Sequence, residues 1–145
     1  MASIANTTEQ SPLYHEEVMR HRGLATGIVD TISSAVAQSI LTSGAVAIVA
    51  LTESGFTPRM VSRHKPDAPI LALTPIDETH RQLALTYGIT AHHTKNVHTL
   101  KEALTLARKE LIRAKLAKKG DVFLLVAGIP FGVRGGTNTL VIQVV

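Results

Sequence analysis

From Ala45 to Leu51 the sequence reads AVAIVAL, an unbroken apolar run that passes directly into Thr52-Glu53-Ser54-Gly55-Phe56-Thr57. The run is too short for most helices, is rich in Val, and never alternates with polar residues, which marks a strand covered on both faces. Such a strand needs helices on either side of its sheet. This one segment therefore commits the chain to α/β layers.

The rest of the chain repeats the alternation. Between Thr26 and Ser43, Val29, Ile32, Val36, Ala37 and Ile40 recur at helical spacing, and Gly44 supplies a stop. After Thr57, a short helix runs from Pro58 to Arg63 before Pro66, and Pro69 to Leu73 reads as a second buried strand. Asp77 and Glu78 open a helix that continues to Gly88, and Ile89 to His92 forms a third strand. Leu100, Ala103, Leu104, Ala107 and Leu111 stripe a helix within His98 to Ala117, and Val122 to Ala127 is a fourth strand. Gly128 to Thr137 leaves no room for a crossover helix, so the last strand, Asn138 to Val145, is expected to run antiparallel. The prediction is a three-layer open sheet of five strands, four parallel and the last antiparallel, with helices on both faces.

Composition fits one such domain. The chain has 145 residues, 45% hydrophobic and only 3% aromatic, so the core must be filled by Ala, Val, Ile and Leu. Cysteine is absent, which removes disulfides, thiolate catalysis and Cys-based zinc sites. The N-terminus lacks a basic segment followed by an apolar core, and no run approaches the roughly 18 apolar residues of a membrane span. A cytoplasmic protein without membrane contact is expected. The net charge is +4, with Arg108, Lys109, Arg113, Lys115, Lys118 and Lys119 in one segment. They fall toward a helix end, where cations complement the dipole, and with few aromatics for base stacking no nucleic-acid partner is expected.

Open sheets of this kind bind ligands beyond the carboxyl ends of their strands. Thr52 to Thr57 lies at such an end. A helix start leaves about four backbone N–H groups without partners, and Thr52, Ser54 and Thr57 add hydroxyls, while Gly55 permits close backbone approach. The same residues also suit an ordinary helix cap. Glu53 is unfavourable beside a dianion unless it points away or meets a cation. The loop Gly128 to Thr137 leaves another carboxyl end and carries Arg134 beside Gly135 and Gly136, so it is a candidate cover for an anionic ligand, or a solvated glycine-rich loop. Neither GxGxxG in a strand–turn–helix context nor GxxxxGK[ST] occurs.

No catalytic set emerges. His92 and His93 should point to opposite faces of a strand, with no carboxylate partner near them in sequence, so the histidines are taken as structural or solvated and no metal is expected. Ser54 is outside any GxSxG context. The terminal strand Thr139 to Val145 is apolar. If it lies at the sheet edge, it invites pairing with a second subunit.

These residues resemble the C-terminal domain of pyruvate kinase. The family's apolar strand followed by T-x-S-G-x-[ST]-[AP]-x-x-[VI]-[SA]-[RK]-[YH]-[RK]-P-x-x-P-I appears as LTESGFTPRMVSRHKPDAPILALT from Leu51 to Thr74. The likeness continues through Glu78-Thr79, Arg81 to Leu85 and Gly120-Asp121-Val122, and closes with AGIPFGVRGGTNTL from Ala127 to Leu140. It covers Thr26 to Val145, the α/β domain, while Met1 to Glu9 resembles the helix that closes the family's catalytic barrel, so residues 1–25 are expected to be barrel end and linker.

The resemblance implies regulation and assembly. The family's active site, with its Mg²⁺ and K⁺, lies in the barrel, so no cofactor and no turnover are expected of this chain alone. Thr52, Glu53, Ser54, Gly55, Phe56 and Thr57 would surround the phosphate of a sugar-phosphate or nucleotide-monophosphate effector, and Arg134, Gly135 and Gly136 would cover it. Glu53 and Phe56 stand where other members carry a cation or hydroxyl. A homo-oligomer joined through the last strand is expected, and the alternative is a free-standing oligomerisation or phosphate-binding module.

Overall fold

A computed structural model describes residues 2–20, 27–133 and 136–145. The helices are α1 Ala2–Glu9, α2 Pro12–Arg20, α3 Gly27–Ser43, α4 Phe56–Arg63, α5 Asp77–Leu83 and α6 Leu100–Arg113. The strands are β1 Ala47–Leu51, β2 Ile70–Thr74, β3 Ile89–His93, β4 Val122–Gly128 and β5 Thr137–Val144. They form one sheet in the order β3-β2-β1-β4-β5. The first four run parallel, and β5 pairs with β4 antiparallel, as the short connection between them requires. The α/β sheet expected from the strand pattern is the one observed.

Alternation along the central strands divides the core in two. Ile48, Ala50, Leu124 and Val126 meet Val36 and Ile40 of α3 and Val61 of α4 on one face. Ala47, Val49, Phe123 and Leu125 meet Ala103, Ala107 and Leu111 of α6 on the other. Burying each large side chain contributes about 1.5–3 kcal/mol. Both faces are needed because a bare parallel face would leave half of that apolar surface in water.

Several local expectations change. The helix starting at Asp77 stops at Leu83 rather than reaching Gly88, and Thr86 N–H turns back to the Leu83 carbonyl at 3.0 Å. Likewise α6 ends at Arg113, short of Ala117, and Lys115 takes a left-handed φ of 57°. Its cations are not all a solvated terminus: Arg108 donates from Nε to the Val144 carbonyl at 2.9 Å and from Nη2 to Gln143 Oε1 at 3.1 Å, tying α6 to β5. The amino end of α6 is capped by Thr99, whose hydroxyl accepts from Glu102 N–H at 3.2 Å. Glu102 in turn accepts from His98 N–H at 2.9 Å, and that backbone bond holds its carboxyl below the usual range.

Folding also gives the histidines carboxylate neighbours that are remote in sequence. His92 Nδ1 lies 2.8 Å from Glu110 Oε2, whose side chain is buried and also meets Arg113 Nε at 3.1 Å. His93 points elsewhere, to the Pro75 carbonyl at 3.0 Å. No group of three potential metal ligands occurs among the described residues. Near the N-terminus, Tyr14 sits under Lys65 Nζ at 5.4 Å, and desolvation, then Tyr14 and Glu9, push the Tyr87 hydroxyl up to about 12. No described helix is long and apolar enough to cross a membrane.

Candidate functional site

From β1 the chain moves through α4 to β2 on one side, while β4 lies on the other side of β1, so the sheet reverses direction between β1 and β4. Loops leaving adjacent strands toward opposite sides must part there and open a crevice. A cavity of about 80 Å³ occupies this place, several times the roughly 10–15 Å³ that one water needs. Four loops line it: Thr52 to Thr57 after β1, Pro75 after β2, Thr94 to Val97 after β3, and the turn after β4 with Phe131, Gly132, Val133 and Gly136.

The loop after β1 is held by its own hydrogen bonds. Thr52 Oγ1 accepts from Gly55 N–H at 2.8 Å, and the Glu53 carbonyl accepts from Thr79 Oγ1 of α5 at 2.7 Å. Gly55 has φ 79° and does not line the cavity: an added Cβ would lie 3.2 Å from both Leu83 Cδ2 and Arg59 Cζ. Its glycine is demanded by the turn and by α5 packing, not by approach to a ligand. Thr57 is buried, its hydroxyl 2.6 Å from that of Thr137, which fastens the start of α4 to the start of β5.

These bonds reduce what the helix start can offer. Gly55 N–H is used by Thr52, Pro58 has no N–H, and Arg59 N–H reaches the Gly55 carbonyl at 3.3 Å. That leaves the amides of Phe56 and Thr57 and the exposed hydroxyl of Ser54. The half-exposed side chain of Glu53 also lines the cavity.

The loop after β4 is anchored by a residue that sequence reasoning passed over. Asn138 accepts from Ile129 N–H at 2.9 Å and donates to the Ile129 carbonyl at 2.6 Å, closing the base of the loop with both ends of its amide. Gly128 and Gly136 cross so closely that a Cβ on Gly128 would lie 2.5 Å from the Gly136 carbonyl oxygen. Arg134 and Gly135 lie outside the described residues, and Gly136 lines the cavity.

Lys95 was also missed. It is exposed and lines the cavity from the loop after β3, so it brings a cation to the same cavity as the start of α4. The signal was available, since Thr94 to Val97 also leaves the carboxyl end of a parallel strand. Leu51, Leu73, Val97, Ala127 and Phe131 complete an apolar wall.

An open, mostly parallel α/β sheet with a cavity at its switch point defines a doubly wound α/β domain. The family model described as pyruvate kinase, alpha/beta domain, matches residues 30–143. The chain belongs to that family. Its whole length aligns with pyruvate kinases of Geobacillus stearothermophilus at 37% identity and Bacillus licheniformis at 33%, covering 25% of each. A pyruvate kinase of Agrobacterium vitis is 38% identical over 78% of this chain and 24% of its own length. The chain thus spans about a quarter of the relatives it matches.

Proposed function

We propose that this chain serves as the regulatory and assembly domain of a cytoplasmic pyruvate kinase. In the complete enzyme the reaction is transfer of phosphate from phosphoenolpyruvate to ADP in glycolysis, carried out by a barrel that would hold the Mg²⁺ and K⁺. The domain itself binds a sugar phosphate or a nucleotide monophosphate. The observation that carries this reading is the convergence at one cavity of Ser54, the start of α4 and Lys95. Two amides and a hydroxyl can hold phosphate oxygens, the ammonium offsets their charge, and the apolar wall accepts a sugar or base face.

Fructose 1,6-bisphosphate, glucose 6-phosphate and AMP, each at millimolar concentration, are the ligands to test by thermal unfolding. At about 100 times Kd a ligand adds about 2.7 kcal/mol to folding, which raises Tm by roughly 5–10 °C for a chain of this size. No shift with any of the three refutes effector binding.

Assembly rests on β5. It occupies one edge of the sheet, and Ile142 and Val144 are each 50% exposed on it. An apolar edge strand is covered in solution by a second copy in this reading. Deleting the strand would be uninformative, because Asn138 and the β4 ladder depend on it. Replacing Ile142 and Val144 together with Lys should instead convert dimers to monomers in sedimentation velocity without loss of helical circular dichroism. Unchanged association would refute pairing through β5.

A further inference from the structure

Resting on the reading of the cavity as a phosphate-ligand site, we propose that it selects a phosphorylated small molecule that also bears an ammonium group, an amino-sugar phosphate by chemical class. Glu53 and Lys95 line the same cavity with opposite charges, yet neither side chain has an ion-pair or hydrogen-bond partner among the described residues. Lining one cavity with opposite charges, they match a molecule that carries both signs.

The main chain that carries this carboxylate is fixed. Thr79 fixes the Glu53 carbonyl, and Thr52 closes the turn one residue away, so a rigid main chain delivers this side chain to the cavity. A sugar phosphate without an amine meets repulsion at Glu53 and attraction at Lys95. An amino-sugar phosphate gains at both, with its phosphate at Ser54, the α4 amides and Lys95, and its ammonium at Glu53. Discrimination then comes from Glu53, while Lys95 supports either ligand.

Glucosamine 6-phosphate and glucose 6-phosphate differ by an amine in place of one hydroxyl, which makes them the probes. Titration calorimetry on the 145-residue chain should find the amino sugar bound about two- to fivefold tighter, the worth of one partly exposed ion pair. Glu53→Gln should remove that advantage by weakening the amino sugar and tightening glucose 6-phosphate, whose binding also shows that the variant is folded. Lys95→Gln should weaken both ligands alike, and glucosamine without phosphate should not bind. Equal or tighter binding of glucose 6-phosphate to the unaltered chain overturns the amine preference and leaves the phosphate reading standing. An advantage that survives Glu53→Gln overturns it as well. Binding of neither ligand overturns the phosphate reading for sugar monophosphates and the preference with it.

Discussion

Phe123→Ala is expected to lower the unfolding free energy by about 3–5 kcal/mol, the usual cost of an aromatic-to-alanine truncation in a core. Phe123 is fully buried on β4, between Ala47 of β1 and Gln143 of β5 in the ladder. Its ring belongs to the cluster beneath α6, where Ala47, Ala103 and Ala107 are too short to swing into the space it would vacate. The hole should therefore persist, and the cost should fall toward the upper part of the range. Urea unfolding with an unchanged slope checks it, and Phe123→Leu, which keeps most of the volume, should cost less than about 1.5 kcal/mol. A loss below about 1 kcal/mol for the alanine variant would mean that α6 closes onto the sheet without the ring.

The same cluster shows why the sheet was legible in the sequence. Ala45 to Leu51, Pro69 to Leu73 and Val122 to Ala127 are continuous apolar runs, and only burial on both faces tolerates them. The antiparallel sense of β5 followed from a connection too short for a helix. Helix ends were less legible: Leu85, at the end of the expected helix after Asp77, is 94% exposed. Periodicity records which residues could share a face, not where the chain leaves it.

The site was legible as a place and less so as chemistry. The turn after β1 was recognisable, but Thr57 looked like a free hydroxyl and is instead bonded to Thr137, eighty positions away. Glu110 could not be matched to His92 by any local rule, because β3 and α6 meet only through packing. Lys95 escaped notice for a different reason. It stands alone in an undistinguished loop, and only the strand order brings that loop opposite the start of α4.

Gly55→Val is expected to cost about 2–5 kcal/mol, from a left-handed backbone at about 1–2 and crowding at about 1–3. With φ at 79°, any L side chain is strained there, and a β-branched one most. The new Cβ would press on Arg59 and on Leu83 at 3.2 Å. Arg59 can swing away, being long and partly exposed, whereas Leu83 is fully buried and cannot. Gly55→Asn tests the division between the two terms, since Asn tolerates the left-handed region and should lose about 1 kcal/mol less in the same urea experiment. Gly55→Val should also reduce any thermal shift given by a phosphate ligand. The Thr52–Gly55 bond closes the turn that leads into the Phe56 and Thr57 amides, so forcing that turn to a new φ would displace them. If Gly55→Val left both stability and ligand response intact, the turn would be adaptable. The rigidity that holds Glu53 in place would then have to come from Thr79 alone.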